Sequence, residues 1–63
     1  MPDPQARNAL IEQTLDLLGT SSPGLRAHVE VVVDRLPHIF SYGAEHRPQM
    51  VRFHVLKTLQ RMP

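Results

Sequence analysis

The amino-acid sequence predicts an all-α protein, a small three-helix bundle with a short extra helical turn before the last helix. Apolar residues recur at intervals of three and four in three segments of the 63-residue chain, which is the spacing of one helix face. Prolines and glycines separate these segments by short loops, as in compact helical bundles. We therefore expect residues 1–63 to form one helical domain.

The first helix is predicted over Pro4 to Leu18. Asp3 can cap its start, proline suits its first position, and Gly19 stands where a glycine commonly ends a helix. Its apolar residues cover about half of the circumference, so we expect it to touch two other elements or two chains. These residues are Ala6, Leu10, Ile11, Leu15, Leu17 and Leu18. Its polar side is acidic and carries Asn8, Glu12 and Asp16.

The second helix is predicted to begin with Ser22 as its N-cap and Pro23 at its first position. One narrow apolar face then carries Leu25, Val29, Val32, Val33 and Leu36. Residues 28–33 also alternate like a strand and contain the β-branched residues that favour one. We prefer the helix because no second run could pair with such a strand, whose backbone groups would stay unsatisfied.

A proline at position 37 predicts a kink or a separate turn over Pro37 to Ser41, since proline removes a donor and crowds the preceding turn. Ile39 and Phe40 continue the apolar face of the second helix. We expect Gly43 to end this turn, because glycine readily adopts a positive φ.

The last helix is predicted over about Pro48 to Arg61. Its apolar side carries Val51, Val55, Leu56, Leu59 and Met62. Its opposite side is basic and carries Met50, His54, Lys57 and Arg61. Phe53 is the exception, because it projects beside Lys57 and two glutamines rather than with the apolar group.

Several classes of protein are excluded by composition. The chain has no cysteine, no apolar run approaching 18 residues and no signal-peptide pattern, so we expect no disulfide scaffold, no membrane-spanning helix and a cytoplasmic location. Charge is uneven: residues 1–36 carry three arginines against five acids, whereas residues 37–63 carry four basic residues against Glu45. The net charge of +1 is too small to indicate nucleic-acid binding by itself.

The residues that could carry chemistry do not form an enzyme-like pattern. Four histidines stand at positions 28, 38, 46 and 54, and no two have the i, i+4 spacing that presents two metal ligands on one helix face. The serines are better explained as caps and turn residues, and a chain this short rarely builds an enclosed pocket. We therefore expect no catalytic site, no metal and no cofactor.

The function predicted is a non-enzymatic protein–protein interaction module: a regulator, inhibitor or accessory subunit that self-associates. A 63-residue domain buries only about 60% of its unfolded surface, which favours additional burial against a partner. The predicted partner-binding residues are Phe53, Lys57, Tyr42, His46, Met50 and Arg61. The alternative is a small DNA- or RNA-binding regulator that uses the basic last helix.

Two interpretations of the segment over residues 37–48 remain open. It could be a helix-to-helix corner, with Ile39 and Phe40 closing the open end of the core. It could also place Tyr42, His38 and His46 near Phe53, as the rim of a protein contact, and the two interpretations do not exclude each other.

Overall fold

The computed structural model describes residues 3–20 and 22–61. Its elements are helix α1 (Pro4–Leu18), helix α2 (Pro23–Arg35), a 3₁₀ turn (Pro37–Ser41) and helix α3 (Arg47–Gln60). The all-α prediction is confirmed, and the helix interpretation of residues 28–33 is correct because they lie inside α2. The helices pack into a body of 33 × 20 × 19 Å.

The two ends of α1 form as their sequence predicts. The Asp3 carboxylate accepts a hydrogen bond from the Gln5 backbone N–H at 3.1 Å, which satisfies one free donor of the first turn. Gly19 adopts φ +73°, and its N–H donates to the carbonyls of Leu15 and Asp16. That left-handed conformation strains residues with a β-carbon, so glycine is required for the closure of this helix.

The start of α2 is only partly as predicted. Ser22 occupies the N-cap position, but its side chain makes no capping hydrogen bond. The Ser22 backbone N–H instead donates to the Thr20 hydroxyl at 3.2 Å, which links these two residues before the helix. At the other end, α2 stops at Arg35, and Pro37 begins the separate 3₁₀ turn.

The prediction for Gly43 is wrong. The 3₁₀ turn ends at Ser41, and the next residue, Tyr42, is extended at φ −88° and ψ 159°. Within the described residues, Gly19 is the only glycine with a positive φ. A β-carbon at position 43 would lie 3.0 Å from both carboxylate oxygens of Glu45, but that side chain is 74% exposed and can move away, so space does not require glycine there.

The last helix begins one residue earlier than predicted and ends one residue earlier, at Gln60. Val51 and Val55 are fully buried as expected, whereas Leu56 and Leu59 are 38% and 39% exposed. Leu56 lies about 100° around the helix from Val55, which places it outside the face covered by α1 and α2. Met62, the last apolar residue predicted for this face, lies outside the described residues.

The core lies between all three helices. Its apolar members are Leu10, Ile11, Leu15, Val29, Val32, Val33, Ile39, Val51 and Val55. Thr14 is the buried polar residue in the described ranges, and its hydroxyl donates to the Leu10 carbonyl at 2.7 Å. Helix α1 packs against both α2 and α3, so two elements of the same chain occupy most of its wide apolar arc, while Leu17 stays 43% exposed.

Two ion pairs join α1 to α2. Arg7 donates to both carboxylate oxygens of Asp34 at 2.8 and 3.1 Å, and Arg26 pairs with Glu12. The first pair joins the start of α1 to the end of α2, so the two helices run antiparallel. The hydrogen bonds from Arg7 hold the pKa of Asp34 below its ordinary value, because they favour the charged carboxylate.

No helix in the described ranges combines the length and the apolar content needed to cross a membrane.

Candidate interaction surface

The segment between α2 and α3 is a structural corner held by Arg47. The guanidinium of Arg47 donates to the backbone carbonyls of Tyr42 at 2.9 Å and Phe40 at 3.1 Å. It also lies over the Phe40 ring, 5.3 Å from the centroid, where a cation is attracted by the aromatic face. Ile39 is 1% exposed. These contacts support the corner interpretation, and the role of Arg47 was missed by the sequence interpretation.

The aromatic side chains of this region form two separate pairs. The rings of His38 and Tyr42 meet edge to face at 6.3 Å, and those of Phe53 and His54 do so at 5.8 Å. Tyr42 is 42% exposed. His46 lies at the N-cap position of α3, with its Nε2 atom 3.5 Å from the Glu45 carboxylate, an ion pair only when the imidazole is protonated.

The side of α3 that faces away from the core carries an apolar ridge. Phe53 is 63% exposed, more than any other large hydrophobic residue described, and Leu56 is 38% exposed. Lys57 is exposed one turn after Phe53. Gln49, Phe53, Leu56, Lys57 and Gln60 together form what we call the outer face of α3, because intervals of three and four residues place them on one side. Leu56 was assigned to the core from sequence, so its place here is a correction.

Two other predicted site residues differ in surroundings from Phe53. Met50 is half-buried and packs against the core, so only part of its side chain remains available. Arg61 is exposed at the C-terminal end of α3, where its backbone N–H donates to the carbonyls of Thr58 and Leu59. His54 was predicted on the same basic side as these residues, but it is half-buried and lines a cavity against α2.

This cavity between α2 and α3 has a volume of about 170 Å³ and brings His28, His54 and Arg35 together. The Nε2 atom of His28 is buried without a hydrogen-bond partner, which is unfavourable for a polar atom. The described residues contain no group of three or more histidine or acidic side chains arranged to bind a metal ion.

A larger groove of about 450 Å³ lies between the end of α1 and the start of α3. Leu17, Ala44 and Pro48 give it an apolar lining, and Asp16 and Glu45 give it two carboxylates. Gln13 and Gln49 complete the lining. We call it the acidic groove. It offers hydrophobic contact together with negative charge, whereas the outer face of α3 offers hydrophobic contact together with positive charge.

Comparison with known proteins gave no match to a family model, to a curated protein or to a solved structure.

Proposed function

We propose that this protein is a non-enzymatic interaction module that docks on a protein partner, which can be a second copy of itself, through the outer face of α3. The observation that carries the proposal is the exposure of Phe53, at 63%, beside the partly exposed Leu56. Apolar surface on one face of a helix can be covered by a partner, and aromatic side chains are enriched among residues that dominate binding energy.

The packing of the chain supports this proposal. Val51 and Val55 are 0% exposed on the opposite side of α3, so this helix is already anchored to the bundle without Phe53 or Leu56. Their exposure therefore adds nothing to the core, and exposing an aromatic ring to water is unfavourable. Binding of a partner to this face would bury Phe53 and Leu56 and so remove that cost. Lys57 would add a positive charge at the edge of the contact, which favours an acidic partner surface.

For the alternative, nucleic-acid binding, α3 offers fewer free cations than its sequence suggests. Arg52 is half-buried and donates to the Gln49 side chain at 3.4 Å, and His54 is half-buried against α2. Lys57 and Arg61 remain the exposed cations of this helix end. Two cations give a small phosphate footprint, so we expect only weak binding to random duplex, measured by fluorescence anisotropy at two salt concentrations.

Site-specific cross-linking in the native cell tests the proposed surface. A photoreactive phenylalanine analogue at position 53 should give a defined adduct with a protein, identified by mass spectrometry. The matched control places the same analogue at Ala27, an exposed residue of α2, where we expect no such adduct. If position 53 gives no protein adduct, or the same adducts as position 27, the proposal is wrong.

A further inference from the structure

The acidic groove contains a carboxylate that the fold itself does not explain. Asp16 lies in the last turn of α1, where a negative charge is unfavourable beside the negative end of the helix dipole. Among the residues described, no ion pair compensates Asp16, since the three pairs present use Asp34, Glu12 and Glu45. A local cost without a local gain is typical of residues that serve contacts outside the fold.

Glu45 is the second carboxylate of this groove, and its side chain is 74% exposed. Together with Asp16 it gives the groove two negative charges around an apolar lining of Leu17, Ala44 and Pro48. An occupant that fits this chemistry is an apolar side chain accompanied by a cation.

The outer face of α3 has that chemistry. Phe53 is 63% exposed, and Lys57 follows it by one helical turn. None of the three ion pairs in the described part of the chain includes Lys57, so its charge has no acidic partner there. The chain therefore displays an aromatic residue with a free cation on one surface, and an apolar groove with a free carboxylate on another.

These two surfaces adjoin each other. Gln49 lines the acidic groove and also borders the surface depression formed with Met50, Phe53 and His54. A two-fold dimer needs both halves of the contact on each copy, close enough to be engaged together, and adjoining surfaces meet that requirement. If the two lay on opposite sides of the bundle, the same complementarity would build an open chain of molecules instead.

We propose that the acidic groove is the docking site for a second copy of this chain, in a two-fold dimer. Phe53 of each copy enters the groove of the other, and Lys57 lies against Asp16 and Glu45. This inference rests on the proposed function and names the partner of that surface. A standard interface of about 800 Å² per partner would cover less than a fifth of the 4410 Å² that the chain exposes.

Charge reversal tests the contact. The full chain should show a concentration-dependent mass between monomer and dimer in sedimentation equilibrium at low salt. Lys57→Glu should raise the dissociation constant at least about tenfold, because a negative charge then faces both carboxylates in each of the two symmetric contacts. Asp16→Lys should raise it less, by about threefold or more, because Glu45 still attracts Lys57. Phe53→Ala should weaken association by a factor similar to that of Lys57→Glu. Arg35→Glu is the matched control, since it reverses an exposed charge on α2 and should leave the dissociation constant within about twofold.

Mixing the two charge-reversed proteins gives the decisive result. In a dimer of one Lys57→Glu chain and one Asp16→Lys chain, both contacts pair opposite charges, so the mixture should associate more tightly than either protein alone. Helicity measured by circular dichroism checks that each variant is folded. A mixture that associates no better than its components, with all variants folded, overturns the proposed contact.

The self-docking inference and the proposed function can fail separately. A chain that remains monomeric at every concentration overturns self-docking, and an adduct of position 53 with a different protein would then leave the proposed function standing. An adduct between two copies that maps to residues 13–17 or 44–49 supports both. No adduct from position 53, with a monomeric chain, overturns both.

Discussion

Replacing Ile39 with alanine should remove a large part of the stability of this protein. Ile39 is 1% exposed and lies in the 3₁₀ turn, which packs against both α2 and α3. Truncating a fully buried isoleucine to alanine costs about 2–5 kcal/mol, because it removes buried methyl groups and leaves a cavity. The free energy of unfolding of a 63-residue domain is about 3–9 kcal/mol in total.

Urea unfolding followed by circular dichroism measures this loss. With a denaturant slope of about 1 kcal/mol per molar for a small domain, the unfolding midpoint should fall by about 2 M or more. Ile39→Val should cost only about 0.5–1.5 kcal/mol, which keeps the measurement possible if the alanine variant is unfolded. His38→Ala is the control, because His38 is exposed on the same turn and should change stability by less than about 0.5 kcal/mol. The reasoning fails if Ile39→Ala costs less than about 1 kcal/mol, or no more than His38→Ala.

Three further predictions follow from the same structure. Phe53→Ala should leave the free energy of unfolding within about 1 kcal/mol of the parent in urea, since the ring is 63% exposed; a loss of about 3 kcal/mol or more would indicate a core role. Gly19→Ala should destabilise by about 1–2 kcal/mol because φ is +73°. Gly24→Ala should be neutral or slightly stabilising by thermal unfolding, because a β-carbon there would meet only the Ser22 hydroxyl, at an ordinary contact distance of 3.9 Å. Because the pKa of Asp34 is lowered in the folded state by Arg7, its contribution is present above the ordinary carboxyl pKa and is lost as the pH falls through the folded value. Asp34→Asn should therefore flatten the fall in stability below about pH 4, and an unchanged pH profile would refute that assignment.

The elements that were predicted correctly depend on interactions between neighbours in the chain. Asp3 and Gly19 mark the ends of α1 because a side-chain cap and a left-handed glycine act within one turn of the helix. Pro37 separates α2 from the 3₁₀ turn for a similarly local reason. The strand-like run over residues 28–33 is also helical, because a single strand would have no partner for its backbone hydrogen bonds.

Apart from the local backbone conformation of Gly43, what sequence reasoning got wrong or missed concerns contacts between different elements of the chain. Leu56 has the right spacing for the core, yet it is 38% exposed. Only two helices pack against α3, and the width of the surface that they cover does not extend to Leu56. A glycine at position 43 is typical of the end of a turn, but its backbone does not take the positive φ that we expected. The role of Arg47 depends on the 3₁₀ turn, which aims two carbonyls at one guanidinium.

By itself the amino-acid sequence determined the all-α fold, the bounds of α1 and the exposure of Phe53, because helix ends and helix faces follow from residue spacing over a few turns. Only the tertiary structure decided that α1 packs on two neighbours of its own chain, and that Asp16, Glu45 and Leu17 line one groove. Such a groove depends on the angle and depth at which two helices pack, and these are set by the fit of side chains that are far apart in sequence.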